Sequence, residues 1–145
     1  MIPKPRENLI LPSEPLPLDD VARKIIGGPV YVLDDVKRYV QSADNSVFNF
    51  ATDKASRDLM MELGWRLDDL RGFIRCLDRR HYGGSQWCYG SGTPKIAFPA
   101  DVYVMGYSRV RGEEWPQVTP WNYFKFSFSS KEDSLEIFSI HPAKN

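Results

Sequence analysis

The chain has 145 residues, enough to build one hydrophobic core without disulfide or metal staples, since single cores serve roughly 100 to 200 residues. Its 42% hydrophobic and 26% charged side chains exclude a disordered or collagen-like polymer. No apolar stretch nears the roughly 18 residues of a membrane span, and Met1 to Pro17 lacks the apolar core of a secretory signal, so a cytoplasmic protein without a membrane partner is expected. Formal charge is zero, but residues 1–70 carry 9 basic against 12 acidic side chains and residues 71–145 carry 10 against 7, which tilts the second half toward anionic partners.

Prolines at 3, 5, 12, 15 and 17 block helix and sheet alike and make residues 1–17 an extended or disordered arm, so the single folded domain is expected over 18–145. Leu18-Asp19-Asp20-Val21 opens a short helical pattern that Gly27-Gly28-Pro29 would stop. A second helix is predicted from about Asp34, where Val32, Val36, Tyr39 and Val40 share one stripe and Lys37 and Arg38 lie outside it. Val47 to Phe50 is aromatic and β-branched enough for a short strand. Thr52 is placed to cap a helix from about Asp53 to Leu63, with Gly64 at the left-handed end. Leu70, Phe73, Ile74 and Leu77 then recur at i, i+3, i+4 and i+7, with Asp68 and Asp69 near the positive helix end.

After Leu77 the period changes from 3.6 to 2. Gly83-Gly84, Gly90 to Pro94, Gly112, Pro116 and Ser129-Ser130 punctuate strand-like segments at Gln86–Tyr89, Ala100–Tyr107, Tyr123–Phe128 and Leu135–Ile140. In the third of these, Tyr123, Lys125 and Ser127 fall on one face and Phe124, Phe126 and Phe128 on the other. Helices followed by an antiparallel meander of about four strands define a two-layer α+β domain, N-terminal helices packed on a C-terminal sheet.

Chemistry, if present, belongs to the polar face of that sheet. His81 and His141, the two histidines of the chain, are side chains able to transfer protons; Tyr123 and Lys125 share a strand face; and Arg79, Arg80, Tyr82, Lys95, Arg109 and Arg111 offer phosphate-binding cations and a stacking ring. Cleavage of RNA without a metal needs such a set. The 2′-hydroxyl loses a proton, the leaving 5′-oxygen gains one, and cations neutralise the phosphoryl transition state. Each residue also has a plainer use: His81 ends a helical pattern, where an imidazolium complements the dipole, and Trp87, Trp115 and Trp121 suit packing. Cys76 and Cys88 suit buried thiols, and with no CxxC, HExxH, phosphate loop or dinucleotide fingerprint neither metal nor cofactor is expected.

Several short strings occur in a telling order: Val32-Leu33-Asp34-Asp35-Val36-Lys37-Arg38-Tyr39-Val40, Glu62-Leu63-Gly64-Trp65 leading into Leu70–Leu77, His81-Tyr82, Asp101-Val102-Tyr103, Tyr123-Phe124-Lys125 and Leu135-Glu136-Ile137-Phe138-Ser139. Together, over about residues 30–141, they resemble the MqsR family of toxins within the RelE-like messenger-RNA interferases. The resemblance implies a RelE-like fold and a metal-independent endoribonuclease, the toxin of a type II toxin–antitoxin pair, with messenger RNA as substrate and a cognate antitoxin protein as partner. It also implies a catalytic set of a lysine after His81-Tyr82, a glutamine before Asp-Val-Tyr, a strand tyrosine and a lysine near the end of the last strand. Those positions hold Gly83, Ala100, Tyr123 and His141 here. A set of His81, Tyr123, Lys125 and His141 is the expected replacement, and a catalytically inactive relative that binds RNA or protein is the alternative.

Overall fold

The computed structural model describes residues 2–143. Residues 2–17 form no helix or strand, yet they are docked rather than loose. The Arg6 guanidinium donates to the carbonyls of Ile26, Gly27, Gly28 and Pro29 at 2.5–3.2 Å, gripping a turn in which Gly27 and Gly28 take φ of +99° and +91°. Both angles lie where a Cβ is penalised, which explains the glycine pair. Farther along, Leu16 is buried and its N–H donates to the Tyr89 hydroxyl.

Only one 3-10 turn, Val21–Arg23, forms where the sequence suggested a first helix. Pro17 and the Gly27-Gly28-Pro29 stop leave too few residues to repay helix nucleation. The chain instead adds to a sheet edge: Lys24 forms a bridge with Gln86, and the Ile25 N–H donates to the Ser85 carbonyl. Helix α1, Leu33–Ser42, buries Val36 and Val40 of the expected stripe, but Leu33 takes the place of Val32, which lies just before the helix and is exposed. Strand β1 is Phe48–Phe50. Thr52 then caps α2, Asp53–Arg57, by accepting the Ala55 N–H at 3.0 Å, and the helix widens into a π turn over Asp58–Glu62. Gly64, at φ +65°, ends it. Helix α3, Leu67–Cys76, buries Leu70, Phe73 and Ile74, while the Asp69 carboxylate accepts the Arg66 N–H.

The strands are β2 (Tyr82–Tyr89), β3 (Ala97–Met105), β4 (Tyr107–Ser108), β5 (Glu113–Glu114), β6 (Asn122–Ser129) and β7 (Ser134–Pro142). The main sheet runs β1-β7-β6-β3-β2, and β4 and β5 form a separate hairpin. The α+β class is as expected, but the sheet has five strands instead of about four and is mixed, because β1 pairs parallel with β7. Three residues of β1 carry too little local pattern to announce a partner nearly ninety positions away.

One sheet face is the core. Phe124, Phe126 and Phe128 of β6 and Tyr103 of β3 pack beneath Val36, Val40, Leu70, Phe73 and Ile74 of α1 and α3. A fully buried phenylalanine contributes on the order of 1.5–3 kcal/mol, so the β6 row alone anchors the helical layer. The opposite face is not covered by the helices. It carries Tyr123 and Lys125 of β6, His141 and Ser139 of β7, Val102 and Val104 of β3, and a small apolar cluster of Ala51, Cys88, Ala100 and Phe138.

Candidate active site

Alternation along β6 and β7 brings Tyr123 and His141 directly opposite each other. Their rings are parallel to within 11° with centroids 5.0 Å apart. His141 Nδ1 lies 2.8 Å from the Pro142 carbonyl, which can only accept, so Nδ1–H donates there and Nε2 has no partner among the described residues. Burial raises the Tyr123 phenol above its ordinary value, with Cys88 and Asp20 adding to the effect, so the hydroxyl stays protonated through neutral pH. A base and an acid therefore stand side by side. Lys125 lies on the same face, opposite Ser139, near the Cys88 thiol that burial raises and Lys125 partly restores.

Tyr123, His141 and Pro142 form the floor of a cleft with two walls. On one side, the turn that follows the N-terminal arm contributes Asp20; on the other, α2 and the π turn contribute Lys54, Asp58 and Glu62. Lys54 and Asp58 are ion-paired at 2.6 Å. None of these four residues stands out as a site residue in the sequence. The i, i+4, i+8 spacing of Lys54, Asp58 and Glu62 was the available signal, since it places all three on one helical stripe. Among the described residues no group of three or more His, Cys, Asp or Glu has the spacing to hold a metal ion, and this cleft is no exception.

His81 is not brought to this cleft. It directly precedes β2, and β3 and β6 stand between β2 and β7. Strands about 4.8 Å apart put it roughly 14 Å from His141. Its ring is buried and both nitrogens are engaged: Nδ1 accepts the Asp78 N–H at 2.9 Å, and Nε2–H donates to Glu114 at 2.8 Å. The tautomer follows from the first bond, because a backbone N–H can only donate. Glu114 also receives both terminal nitrogens of Arg80, and these contacts hold its carboxyl down at about 2. His81 and Arg80 thus clamp the β4–β5 hairpin to the start of β2.

The other expected RNA contacts are dispersed. Arg109 donates to the Gly64 carbonyl at 2.8 Å and approaches Asp69, and Arg111 lies 4.1 Å over the Trp115 ring. Tyr82 shares a 2.6 Å hydrogen bond with Ser85 and meets Tyr103 edge-on, while Arg79 lines a separate groove with Lys4, Arg6 and Tyr103. Lys95 sits 5.8 Å over Tyr89, which Arg23 approaches at 5.7 Å.

The three positions where the resemblance departs, Gly83, Ala100 and His141, all face the open side of the sheet. A Cβ on Gly83 would meet Val102 Cγ1 at 3.2 Å and Val104 Cγ2 at 3.6 Å, and Val104 is the cross-strand partner of Tyr123. Ala100 is fully buried within the small apolar cluster, with Phe98 packed against it. Among the described residues no helix is long and apolar enough to cross a membrane. No protein family, curated protein or solved structure matches the chain.

Proposed function

We propose that the chain is a metal-independent endoribonuclease that cleaves messenger RNA, acting as the toxin of a type II toxin–antitoxin pair in the cytoplasm and neutralised by a cognate antitoxin protein. The single observation that carries the ribonuclease reading is the Tyr123–His141 pair. A histidine whose Nε2 has no partner among the described residues is stacked on a tyrosine held protonated, on the sheet face opposite the helical core, which also carries Lys125. In this reading the 2′-hydroxyl gives its proton to His141 Nε2 and attacks the adjacent phosphorus. The P–O5′ bond breaks, the 5′-oxygen takes the Tyr123 proton, and a 2′,3′-cyclic phosphate and a 5′-hydroxyl remain. Lys125 draws the RNA backbone onto the face as a cation. His81 holds the hairpin through Glu114 instead of taking part in proton transfer, since neither of its nitrogens is free. The toxin role, the RelE-like fold and the antitoxin rest on the resemblance described above.

The test is single-stranded RNA incubated with the purified chain in EDTA. Cleavage that stops in His141→Ala and survives in His81→Ala supports the assignment. Cleavage that survives in His141→Ala refutes it.

A second reading, a catalytically inactive binding module, is favoured by one observation: Asp20, Asp58 and Glu62 line the cleft against a single lysine. RNA left intact by the wild type, with or without salt-sensitive binding, would select it.

A further inference from the structure

The reaction above lacks one component at the cleft itself. As the 2′-oxygen attacks, negative charge gathers on the non-bridging oxygens, and a cation within contact distance is the usual means of stabilising it. Lys125 is two residues from Tyr123 along β6, about 7 Å away, and its neighbour is Cys88. Among the described residues lining the cleft, Lys54 is the one cation.

We propose that Lys54 is a catalytic residue that contacts the scissile phosphate, with Asp58 as its resting partner. This assignment rests on the ribonuclease reading of the same cleft. Lys54 occupies the second position of α2, whose start is fixed by the Thr52 cap, so its stem leaves a defined point of the wall opposite the Tyr123–His141 floor. Its side chain is 71% exposed and reaches Asp58 at 2.6 Å, one turn along the helix. The ammonium end of this pair is solvated while the Asp58 side chain is only 13% exposed, so the lysine can turn to a second anion without leaving water. An incoming phosphate can therefore take the ammonium from Asp58 without unfolding anything. The carboxylate meanwhile keeps the lysine directed along the cleft wall while the site is empty. The Lys54 role is contact with the phosphoryl oxygens; the proton transfers stay with His141 and Tyr123.

The experiment uses the full chain and a 5′-labelled single-stranded RNA oligonucleotide in EDTA. Single-turnover rates are measured across protein concentration, which separates the saturated rate constant from the concentration at half-saturation. Lys54→Ala is expected to lower the saturated rate constant by about 100-fold, as for loss of one transition-state donor, and Lys54→Arg to recover most of it. Asp58→Asn, which removes the ion pair but keeps the ammonium, is expected to shift half-saturation to lower protein concentration without that fall. Equal losses in Lys54→Ala and Asp58→Asn would mean that Lys54 only braces the wall, and the proposal fails. A Lys54→Ala rate within threefold of wild type, with His141→Ala inactive, overturns the Lys54 role and leaves the ribonuclease reading standing. A wild type that does not cleave removes both. Circular dichroism of each variant separates these outcomes from misfolding, and Lys54→Arg provides the folded control if Lys54→Ala is lost.

Discussion

Replacing Asp101 with alanine tests how the N-terminal segment is fastened to the sheet. The carboxylate is fully buried on the helical face of β3. Its Oδ1 accepts the Val30 N–H at 2.9 Å and the Ser85 hydroxyl at 2.6 Å, and its Oδ2 accepts the Tyr31 N–H at 3.0 Å. Truncation leaves the Val30 and Tyr31 N–H groups without an acceptor, each costing on the order of 1–3 kcal/mol, while the Ser85 hydroxyl can turn to the Tyr82 oxygen. Part of that cost is returned, because burial holds this carboxyl above its ordinary range and the charge no longer needs to be desolvated. A net loss of about 3 kcal/mol is expected for Asp101→Ala. Asp101→Asn keeps two acceptances on one oxygen but turns an amide NH2 toward the Tyr31 N–H, so a smaller loss of about 1–2 kcal/mol is expected. Urea unfolding followed by circular dichroism measures both. A loss below about 1 kcal/mol for Asp101→Ala, with an unchanged m-value, would refute the reasoning, because it would mean that the donors find other partners.

The Glu114 carboxyl is held at about 2 in the folded state by Arg80 and His81, against an ordinary value of 4.5. A depressed carboxyl stabilises the fold above the unfolded value, and this contribution fades as pH falls from 4.5 toward 2, so Glu114→Gln should flatten the acid side of the stability profile measured by thermal unfolding between pH 6 and 3. Gly72 lies inside α3, and a Cβ there would press on the Tyr107 hydroxyl, whose ring is fixed between Trp65 and Phe73. Gly72→Ala should therefore destabilise despite a gain of roughly 1 kcal/mol in helix propensity, and the double variant Gly72→Ala/Tyr107→Phe should recover stability relative to Gly72→Ala. In the cleft, Asp20→Asn and Glu62→Gln should each tighten RNA binding several-fold at low salt, with the gain fading as salt rises; fluorescence anisotropy reads this, and no change at low salt would show that the wall does not face the RNA.

Local grammar disclosed most of the elements. The stripe of Val36 and Val40, the Thr52 cap, the glycine end at Gly64 and the Leu70–Leu77 periodicity all lead to the helices observed, and the alternation divides β6 between core and open face from Tyr123 to Phe126; beyond the irregularity at Lys125–Phe126, Ser127 is buried against the Tyr31 hydroxyl instead of joining Tyr123 and Lys125. Long-range pairing was hidden, since nothing in Phe48–Phe50 marks Leu135–Ile137 as a parallel partner. The candidate site shows the same division. Tyr123, Lys125 and His141 were legible as one face because strand period is local, whereas the wall of Lys54, Asp58 and Glu62 depends on how α2 meets β7. His81 lies apart from that face, and nothing local in the sequence shows its bond to Glu114, more than thirty residues away, which reaches it only because the β4–β5 hairpin folds back.

The parallel contact between β1 and β7 sets the order in which this protein becomes competent. A nascent chain that has passed α3, β2, β3 and β6 still has β1 without a neighbour, and it still lacks His141, because both needs are met by the last strand. Completion of the sheet and arrival of His141 are one event. A prematurely terminated chain ending before Ser134 would be unfinished as a fold and, under the proposed function, without its base.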